Sequence, residues 1–286
     1  MTRGRAPGKV LLLGEHSVVY GHPALAASIP RYVTVDLTPA AETRIELPGG
    51  MQTPFPLLEA AQAMAREAGY PGAFHARLQS EIPLGGGLGS SAALGVALAR
   101  ALKPSCTAEE AAGLAMRIER VLHGAPSGVD PAACAREGVI FFVRGQPPRV
   151  EAVRGSASIV IALSGIARGT HSTVMPLAER RKTDARIDPL LARLGDLARQ
   201  GRALFERGDL VGLGAAFDDA HAVLRDLGVS CPELEEVIAA LRDAGALGAK
   251  LTGAGGGGAA IGLARDEACA REIAARTGGF AVEVGG

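Results

Sequence analysis

The chain has 286 residues, with 30 lysines and arginines against 30 aspartates and glutamates, so its formal net charge is zero. This balance argues against a nucleic-acid or polybasic membrane partner, because both require a broad positive field. The hydrophobic content of 48% is sufficient for a folded core, while the 39 glycines are so numerous that their positions need an explanation.

In the first half of the chain, the residue pattern predicts strands and helices in mixed order. Val33, Val35 and Leu37 alternate with polar residues, which is typical of a strand. Thr107 and Glu110 have the spacing of a capping box, which predicts that a helix begins there. The expected strands are 9–13, 32–37, 73–82 and 138–143, and the expected helices are 57–68, 91–102 and one that starts after 107.

A segment over 145–158 contains Pro147 and Pro148, and we expect a domain boundary there. Because strands and helices do not alternate strictly, the pattern favours an α+β fold of two domains, 1–155 and 156–286. In the second half, the expected strands are 159–163, 249–251, 259–263 and 280–284, and the expected helices lie within 171–227, over 232–244 with Ser230 as the cap, and over 266–276.

The glycines are concentrated in two clusters, Gly85–Gly89 and Gly253–Gly258. In the first cluster, residues without a Cβ allow successive N–H groups to turn toward one point, and the following helix adds unpaired N–H groups and a positive dipole end. Ser90 and Ser91 supply hydroxyls for a phosphate or a cation. We therefore predict a polyphosphate-binding loop, and the alternative is a tight strand-to-helix turn with a serine as an ordinary N-cap.

Three other glycine-rich motifs fit less well. The Walker pattern is missing because no lysine precedes Ser90. Gly87–Ala92 and Gly253–Gly258 match the spacing of dinucleotide-binding loops, but the first lacks the following strand with its acidic residue, and the second leaves too little chain behind it. The nucleophile elbow of serine hydrolases requires a glycine where Ala93 stands. A dehydrogenase and a serine hydrolase are therefore disfavoured.

Three polar residues outside these loops have the chemistry of phosphoryl transfer. Asp130 could accept a proton from an alcohol, Lys9 could stabilise the developing alkoxide, and Glu119 could ligate Mg²⁺. Each carboxylate also has an ordinary structural interpretation, since Asp130 before Pro131 could start a turn and Glu119 could be a solvated helix residue. An isolated histidine such as His16 is more often structural than a ligand. The residues alone leave both interpretations open.

Three segments together resemble the motifs of the GHMP small-molecule kinases, namely Ala6–Gly21, Pro83–Ala93 and Lys250–Gly258. Within this superfamily, Gly14–Gly21 and His123–Asp130 (His-Gly-Ala-Pro-Ser-Gly-Val-Asp) resemble the mevalonate kinases. The segments are spread over nearly the whole chain. The resemblance implies an N-terminal domain like ribosomal protein S5 domain 2 and a ferredoxin-like C-terminal domain, which agrees with the α+β expectation.

The resemblance also implies a reaction, the ATP- and Mg²⁺-dependent phosphorylation of the C5 hydroxyl of mevalonate in isoprenoid biosynthesis. Asp130 and Lys9 are then the expected catalytic residues, and Mg²⁺ is expected on Glu119 and on one serine of the pair Ser90 and Ser91. The residues expected to bind the ATP phosphates are Gly85, Gly86, Gly87, Leu88, Gly89, Ser90, Ser91 and Ala92. Those expected to bind mevalonate are Lys9, Glu15, His16, Asp130, Thr252, Gly253 and Ala254.

Two segments depart from the family pattern, and alternative functions stay open. The stretch 39–80 is short beside many family members, so the adenine site is left unassigned, and the segment 165–172 fits only loosely. The alternatives are another GHMP phosphotransferase, such as a phosphomevalonate kinase or a mevalonate kinase acting at a different hydroxyl, and a non-catalytic ligand sensor. The sensor is disfavoured because Lys9, Glu119 and Asp130 are all present.

The cysteines and the N-terminus indicate the compartment. Cys106, Cys134, Cys231 and Cys269 are far apart and have no zinc-binding spacing. The apolar run 10–13 is too short for the core of a signal peptide, and no apolar run reaches the length of a membrane span. We therefore expect a soluble cytoplasmic protein that acts on a small molecule, with neither nucleic acid nor a membrane as a partner. Whether it forms a homodimer stays open.

Overall fold

The structure, a computed structural model, describes residues 1–50, 53–83, 85–166 and 171–286. The strands within these ranges are β1 (Thr2–Leu13), β2 (Ala24–Ala40), β3 (Arg44–Glu46), β4 (Ala73–Ser80), β5 (Val139–Val143), β6 (Arg149–Val153), β7 (Ser156–Leu163), β8 (Gly248–Thr252), β9 (Ala259–Leu263) and β10 (Phe280–Gly285). The helices are α1 (Phe55–Glu67), α2 (Ser90–Leu102), α3 (Ala108–His123), α4 (Val129–Cys134), α5 (His171–Arg181), α6 (Ile187–Glu206), α7 (Leu210–Asp226), α8 (Pro232–Asp243) and α9 (Glu267–Thr277). Over the same ranges, no helix combines the length and the apolar character needed to cross a bilayer.

The chain forms two compact units, and these do not follow the order of the sequence. Unit 1 contains residues 1–9, 30–83 and 89–137, and unit 2 contains residues 10–29, 84–88 and 138–286. The chain therefore changes unit within β1, within β2, just before the first glycine cluster, between Leu88 and Gly89, and between Glu137 and Gly138. The consecutive division into 1–155 and 156–286 stays a prediction about the two family domains.

Unit 1 combines a small sheet with four helices. Strand β4 pairs antiparallel with residues 33–40 of β2, and β3 pairs parallel with β4. The apolar residues of the alternation predicted over 32–37 are buried, as expected for one face of a sheet. Helix α3 begins at the predicted capping box. It packs closely against α2 because Gly95 has no side chain, since a Cβ there would lie 2.8 Å from the Cβ of Ala115.

Unit 2 contains a four-stranded antiparallel sheet in the order β10–β7–β9–β8. With the strands numbered in chain order from β7, the order is 4-1-3-2, and helices connect the first strand to the second and the third to the fourth. This is a ferredoxin-like arrangement with additional helices. Strand β5 pairs with β6 and with Ala24–Ala27 of β2. Helix α7 approaches β8 through two glycines, since a Cβ at Gly248 would lie 2.0 Å from the carbonyl oxygen of Gly214.

The observed elements confirm the α+β expectation and most of the expected helices and strands, but not all. Strands β3 and β6 and helix α4 were not predicted, and the helical region 171–227 is divided into α5, α6 and α7. The expected cap at Ser230 is wrong. Cys231 is the N-cap of α8, and the Ser230 hydroxyl donates instead to Oε1 of Glu235 at 2.5 Å. Residues 167–170, in the segment that fits the family loosely, lie outside the described residues.

Candidate functional site

Unit 1 brings together five polar side chains from four separate elements, and we refer to them as the unit 1 cluster: Lys9, Ser91, Glu119, His123 and Asp130. Strand β1 supplies the lysine and the first turn of α2 supplies the serine. Glutamate and histidine come from the last turns of α3, and the aspartate comes from the first turn of α4. The cluster therefore depends on the fold of the whole unit, not on one motif.

Within the unit 1 cluster, Lys9 and Asp130 form an ion pair, in which Nζ lies 3.0 Å from Oδ2. The lysine side chain is 2% exposed and the aspartate side chain is 32% exposed, so the carboxylate end is the part that solvent or a ligand can reach. Gly89 is necessary for this packing, because a Cβ there would lie 2.7 Å from Cγ of Lys9. An accessible carboxylate beside a buried ammonium can accept an alcohol proton and stabilise the negative charge that develops.

Glu119 is buried, and its pKa is raised to about 7. Burial is the main cause and the charge of Asp130 adds to it, while the Ser91 hydroxyl and the charge of Lys9 act in the opposite direction. Among the described residues, the buried Oε1 atom has no hydrogen-bond partner, and Nε2 of His123 lies 3.8 Å from it. Because buried carboxylate oxygens nearly always have a partner, this atom marks a position where a cation would be favourable.

Ser91 is the one of the two predicted serines that joins the unit 1 cluster. Its Oγ lies 3.0 Å from Nε2 of His123. Its hydroxyl also interacts with the Glu119 carboxyl group and lowers the pKa of that group. Burial lowers the pKa of His123, although the charge of Asp130 opposes this effect, so the ring is neutral near pH 7. The sequence motif contains this histidine, but sequence reasoning predicted no role for it.

The predicted phosphate loop has an alternating backbone conformation. Gly85, Gly87 and Gly89 have φ angles of 73°, 69° and 78°, in the left-handed region, while the residues between them lie outside it. Such alternation points successive N–H groups toward a common anion. Gly89 is the N-cap of α2 and no side-chain hydrogen bond caps this helix end, so N–H groups of the first turn are available. Leu88 and Ala92 are buried and offer only their backbone.

In unit 2, the two glycine clusters are in contact. Cβ atoms added at Gly253 and Gly258 would lie 3.4 Å and 3.3 Å from the carbonyl oxygens of Gly87 and Gly86, respectively. Gly255 has a left-handed φ of 75°, and a Cβ there would lie 2.0 Å from a backbone carbonyl oxygen. The second cluster is therefore rich in glycine because its backbone passes very close to other backbone.

His16 lies in the turn that follows β1 and has a left-handed φ of 58°, which is uncommon for a residue with a side chain. The side chain is buried, and its Nε2 lies 2.9 Å from the carbonyl oxygen of Ala254. Burial lowers the pKa of His16 to about 4, and the contact with Ala254 opposes this effect only in part. The structure thus places two of the predicted mevalonate-binding residues in direct contact.

Glu15 and Thr252, two other predicted mevalonate-binding residues, use their polar atoms on the protein itself. The side chains of Glu15 and Lys250 are both 0% exposed, and Nζ of Lys250 donates to Oε1 of Glu15. Oγ1 of Thr252 accepts from the N–H of Leu11 at 2.9 Å and donates to its carbonyl oxygen at 3.0 Å. Sequence reasoning did not single out Lys250, although the residue opens one of the family motifs.

The predicted site residues therefore assemble in two groups, each within one unit. Unit 1 holds Lys9, Gly89, Ser90, Ser91, Ala92, Glu119 and Asp130, and unit 2 holds Glu15, His16, Gly85, Gly86, Gly87, Leu88, Thr252, Gly253 and Ala254. His123 and Lys250 are the two neighbours that were missed. The signal that could have found them is their position inside the motifs, next to residues with assigned roles.

Comparison with known proteins finds relatives along most of the chain. The family models for the GHMP kinases N terminal domain and the GHMP kinases C terminal match residues 56–138 and 202–278. The mevalonate kinases of Thermococcus sibiricus and Aeropyrum pernix are 33% and 35% identical to this chain, and each match covers 92% of this chain and 89% of the relative. The crystal structure of L. major mevalonate kinase in complex with R-mevalonate has a TM-score of 0.85 and 26% identity, and covers 100% of this chain and 96% of that one.

Proposed function

The chain belongs to the GHMP kinase family, and we propose that it is a mevalonate kinase, which transfers the γ-phosphoryl group of ATP to the C5 hydroxyl of mevalonate. The observation that supports this most is the Lys9–Asp130 pair, with its buried ammonium 3.0 Å from an accessible carboxylate, in a chain with mevalonate kinases as relatives. The products are 5-phosphomevalonate and ADP.

In the proposed reaction, the Asp130 carboxylate accepts the hydrogen bond of the C5 hydroxyl and takes up or orients its proton. A bond forms between the hydroxyl oxygen and the γ-phosphorus, and the bond from that phosphorus to the bridging oxygen of ADP breaks. Lys9 stabilises the negative charge that develops on the attacking oxygen. The N–H groups of Gly85–Gly89 and of the first turn of α2 hold the ATP phosphates.

The residues of the unit 1 cluster also fit Mg²⁺. Glu119 has a buried carboxylate oxygen without a hydrogen-bond partner among the described residues, and the Ser91 hydroxyl acts on the same carboxylate. Within the described part of the chain, no three acidic, histidine or cysteine residues gather into a metal cage. This agrees with Mg²⁺, which takes one or two carboxylates and completes its shell with phosphates and water. Glu119 and Ser91 would hold the ion, which supplies charge neutralisation on the phosphates when bound.

We propose mevalonate-binding roles in unit 2 for Glu15, His16, Thr252, Gly253 and Ala254. Support comes from the contact between His16 and Ala254, which fixes the turn after β1 relative to the segment after β8. The hydroxyl of Thr252 is occupied by Leu11, so this residue offers mainly its backbone unless that contact opens.

A phosphorylated substrate would require additional basic groups, and the run Arg180–Arg181–Lys182 is the candidate for supplying them. Arg180 donates to a carbonyl oxygen at the C-terminal end of α7 at 2.8 Å. Arg181 pairs with a neighbouring carboxylate and lies over the ring of Tyr20 at 4.4 Å, and Lys182 pairs with a glutamate at 2.8 Å. Since these groups serve internal contacts, mevalonate is favoured over phosphomevalonate.

The proposed function is tested by a coupled ADP-release assay with mevalonate, phosphomevalonate, homoserine and galactose. We expect turnover with mevalonate, and turnover of another alcohol but not of mevalonate would reject the proposal. Asp130→Asn should bind ATP normally, and its kcat should be about a thousandfold lower than that of wild type. Asp226→Asn, on an exposed face of α7, is the matched control and should behave as wild type. A near-normal kcat in Asp130→Asn would remove this residue from the chemistry.

A further inference from the structure

Lys250 is a fully buried lysine for which the proposed reaction has no direct use. Its Nζ donates to the Glu15 carboxylate and to the carbonyl oxygen of Leu251 at 2.7 Å, and it lies 5.7 Å from the centre of the Phe217 ring. Since the side chains of Lys250 and Glu15 are both 0% exposed, neither charge is available to solvent. Lys250 therefore acts on another residue of the protein, not on a ligand.

A buried ion pair of this kind is a poor source of stability. The cost of removing two charges from water offsets their attraction, and apolar residues of similar volume often stabilise a protein equally well. Loss of one partner is strongly destabilising, however, because it leaves an unpaired buried charge. The presence of Lys250 and Glu15 in the interior of unit 2 is therefore not explained by stability alone.

What the pair holds in place is the turn Gly14–His16. Gly14 and His16, the two residues on either side of Glu15, have left-handed φ angles of 97° and 58°. A left-handed conformation at a residue with a side chain is strained and persists only where its surroundings fix it. Glu15 lies between these two residues, so its contact with Lys250 fixes the centre of the turn.

Every second residue of the segment 250–254 contacts β1 or the turn that follows it. Lys250 binds Glu15, Thr252 binds both backbone groups of Leu11, and the carbonyl oxygen of Ala254 contacts His16. Lys250 and Thr252 are two residues apart on β8 and therefore lie on the same face of this strand, whereas Ala254 lies in the turn that follows it. This short segment connects the buried charge pair to His16, which we propose to bind mevalonate.

We infer that Lys250 is a positioning residue of the mevalonate site, which acts through Glu15 to hold the Gly14–His16 turn in its strained conformation. The inference rests on the proposed function, because it assigns a purpose to residues of that site. This narrows the mevalonate-binding role proposed above for Glu15: because its buried carboxylate binds Lys250, Glu15 borders the mevalonate pocket and serves it by holding the turn. The ATP phosphates, which we assign to the glycine loop and α2, should be little affected by the pair.

The test replaces both charges together, in the double variant Lys250→Met with Glu15→Met. We expect its melting temperature to be close to that of wild type, since the variant contains no unpaired buried charge. KM for mevalonate should rise at least tenfold, while KM for ATP stays within twofold. If the pair is purely structural, KM for mevalonate in the double variant should stay close to the wild-type value, as the melting temperature does. That result would overturn the inference.

A control and a second variant complete the design. The exposed ion pair of α9 gives the matched control, Glu267→Met with Arg271→Met, and none of the three parameters should change. If the buried double variant does not fold, Glu15→Asp keeps the charge and withdraws the carboxylate by one methylene. This variant should raise KM for mevalonate severalfold with little change in melting temperature, and an unchanged KM would reject the inference. Absence of mevalonate turnover in the wild type would instead reject the proposed function.

Discussion

Replacement of Glu119 by glutamine should stabilise the protein and abolish the Mg²⁺-dependent activity that we propose. Burial and the neighbouring Asp130 raise the pKa of Glu119 from 4.5 to about 7. An unfolded chain ionises this group above pH 4.5, whereas the folded protein resists ionisation up to about pH 7, so the carboxyl group destabilises the fold as pH rises through this window. At 1.36 kcal/mol per pKa unit, the penalty at pH 8 is about 3 kcal/mol. Glutamine has nearly the same shape and never ionises, so Glu119→Gln removes the penalty.

The measurement is unfolding by urea or heat without Mg²⁺, at several pH values between 4.5 and 8. Glu119→Gln should exceed wild type in stability at pH 8, with a melting temperature higher by roughly 5–10 °C, and the two proteins should converge near pH 4.5. Glu59→Gln, at an exposed position of α1, controls for the general effect of removing one negative charge. If the stability difference is absent at pH 8, or does not shrink in acid, the reasoning about burial is refuted.

Addition of Mg²⁺ provides an independent part of the same experiment. A ligand that binds only the folded state stabilises it in proportion to RT ln(1 + [L]/Kd), so Mg²⁺ with a nucleotide should raise the melting temperature of wild type. Glu119→Gln should show much less of this increase and a low kcat, because the amide lacks the charge that attracts the cation. Equal stabilisation of both proteins by Mg²⁺ would show that Glu119 is not a ligand.

Two further predictions concern the backbone of the site and its pH dependence. Gly89→Ala should lower kcat at least tenfold and destabilise the fold by about 1–3 kcal/mol, because a Cβ would lie 2.7 Å from Cγ of Lys9 at a φ of 78°. Gly113→Ala in helix α3 is the control, because a Cβ there meets open space. It should stabilise the protein by roughly 0.5–1 kcal/mol and keep the wild-type kcat. A wild-type kcat in Gly89→Ala as well would contradict the packing argument. For His16, burial lowers the pKa from 6.5 to about 4, so protonation of the unfolded chain removes stability as pH falls through that window. Asparagine tolerates the left-handed φ and does not titrate in this range, so His16→Asn is the test variant. Between pH 7 and pH 5, its free energy of unfolding in urea should fall by about 2 kcal/mol less than that of wild type. An equal fall in both proteins would refute the assignment.

The sequence predicted the residues of the site better than their contacts. Lys9 and Asp130 lie inside motifs, Glu119 lies four residues before one, and all three carry recognisable chemistry. The α+β class followed from the order of elements. The contact between Ser91 and His123 and the burial of Lys250 against Glu15 could not be read from residue patterns, because both depend on how distant elements pack. Short elements were missed for a similar reason. Helix α4 has only six residues and includes a proline, so it has no periodicity to detect.

The charges of the unit 1 cluster help to explain how a chain with zero net charge could bind a nucleotide. Lys9, Glu119 and Asp130 sum to a negative charge when all three are ionised, so these side chains attract a cation rather than a polyphosphate. In the proposed site, attraction for phosphate then comes from the bound cation and from uncharged groups, namely the N–H groups of the alternating loop over Gly85–Gly89 and the uncapped end of α2. Such dipoles act only at short range, so they bind an anion without giving the surface a positive field. An even balance of charged residues is therefore compatible with a nucleotide-dependent enzyme, and part of the large glycine content is the structural means by which this chain combines the two.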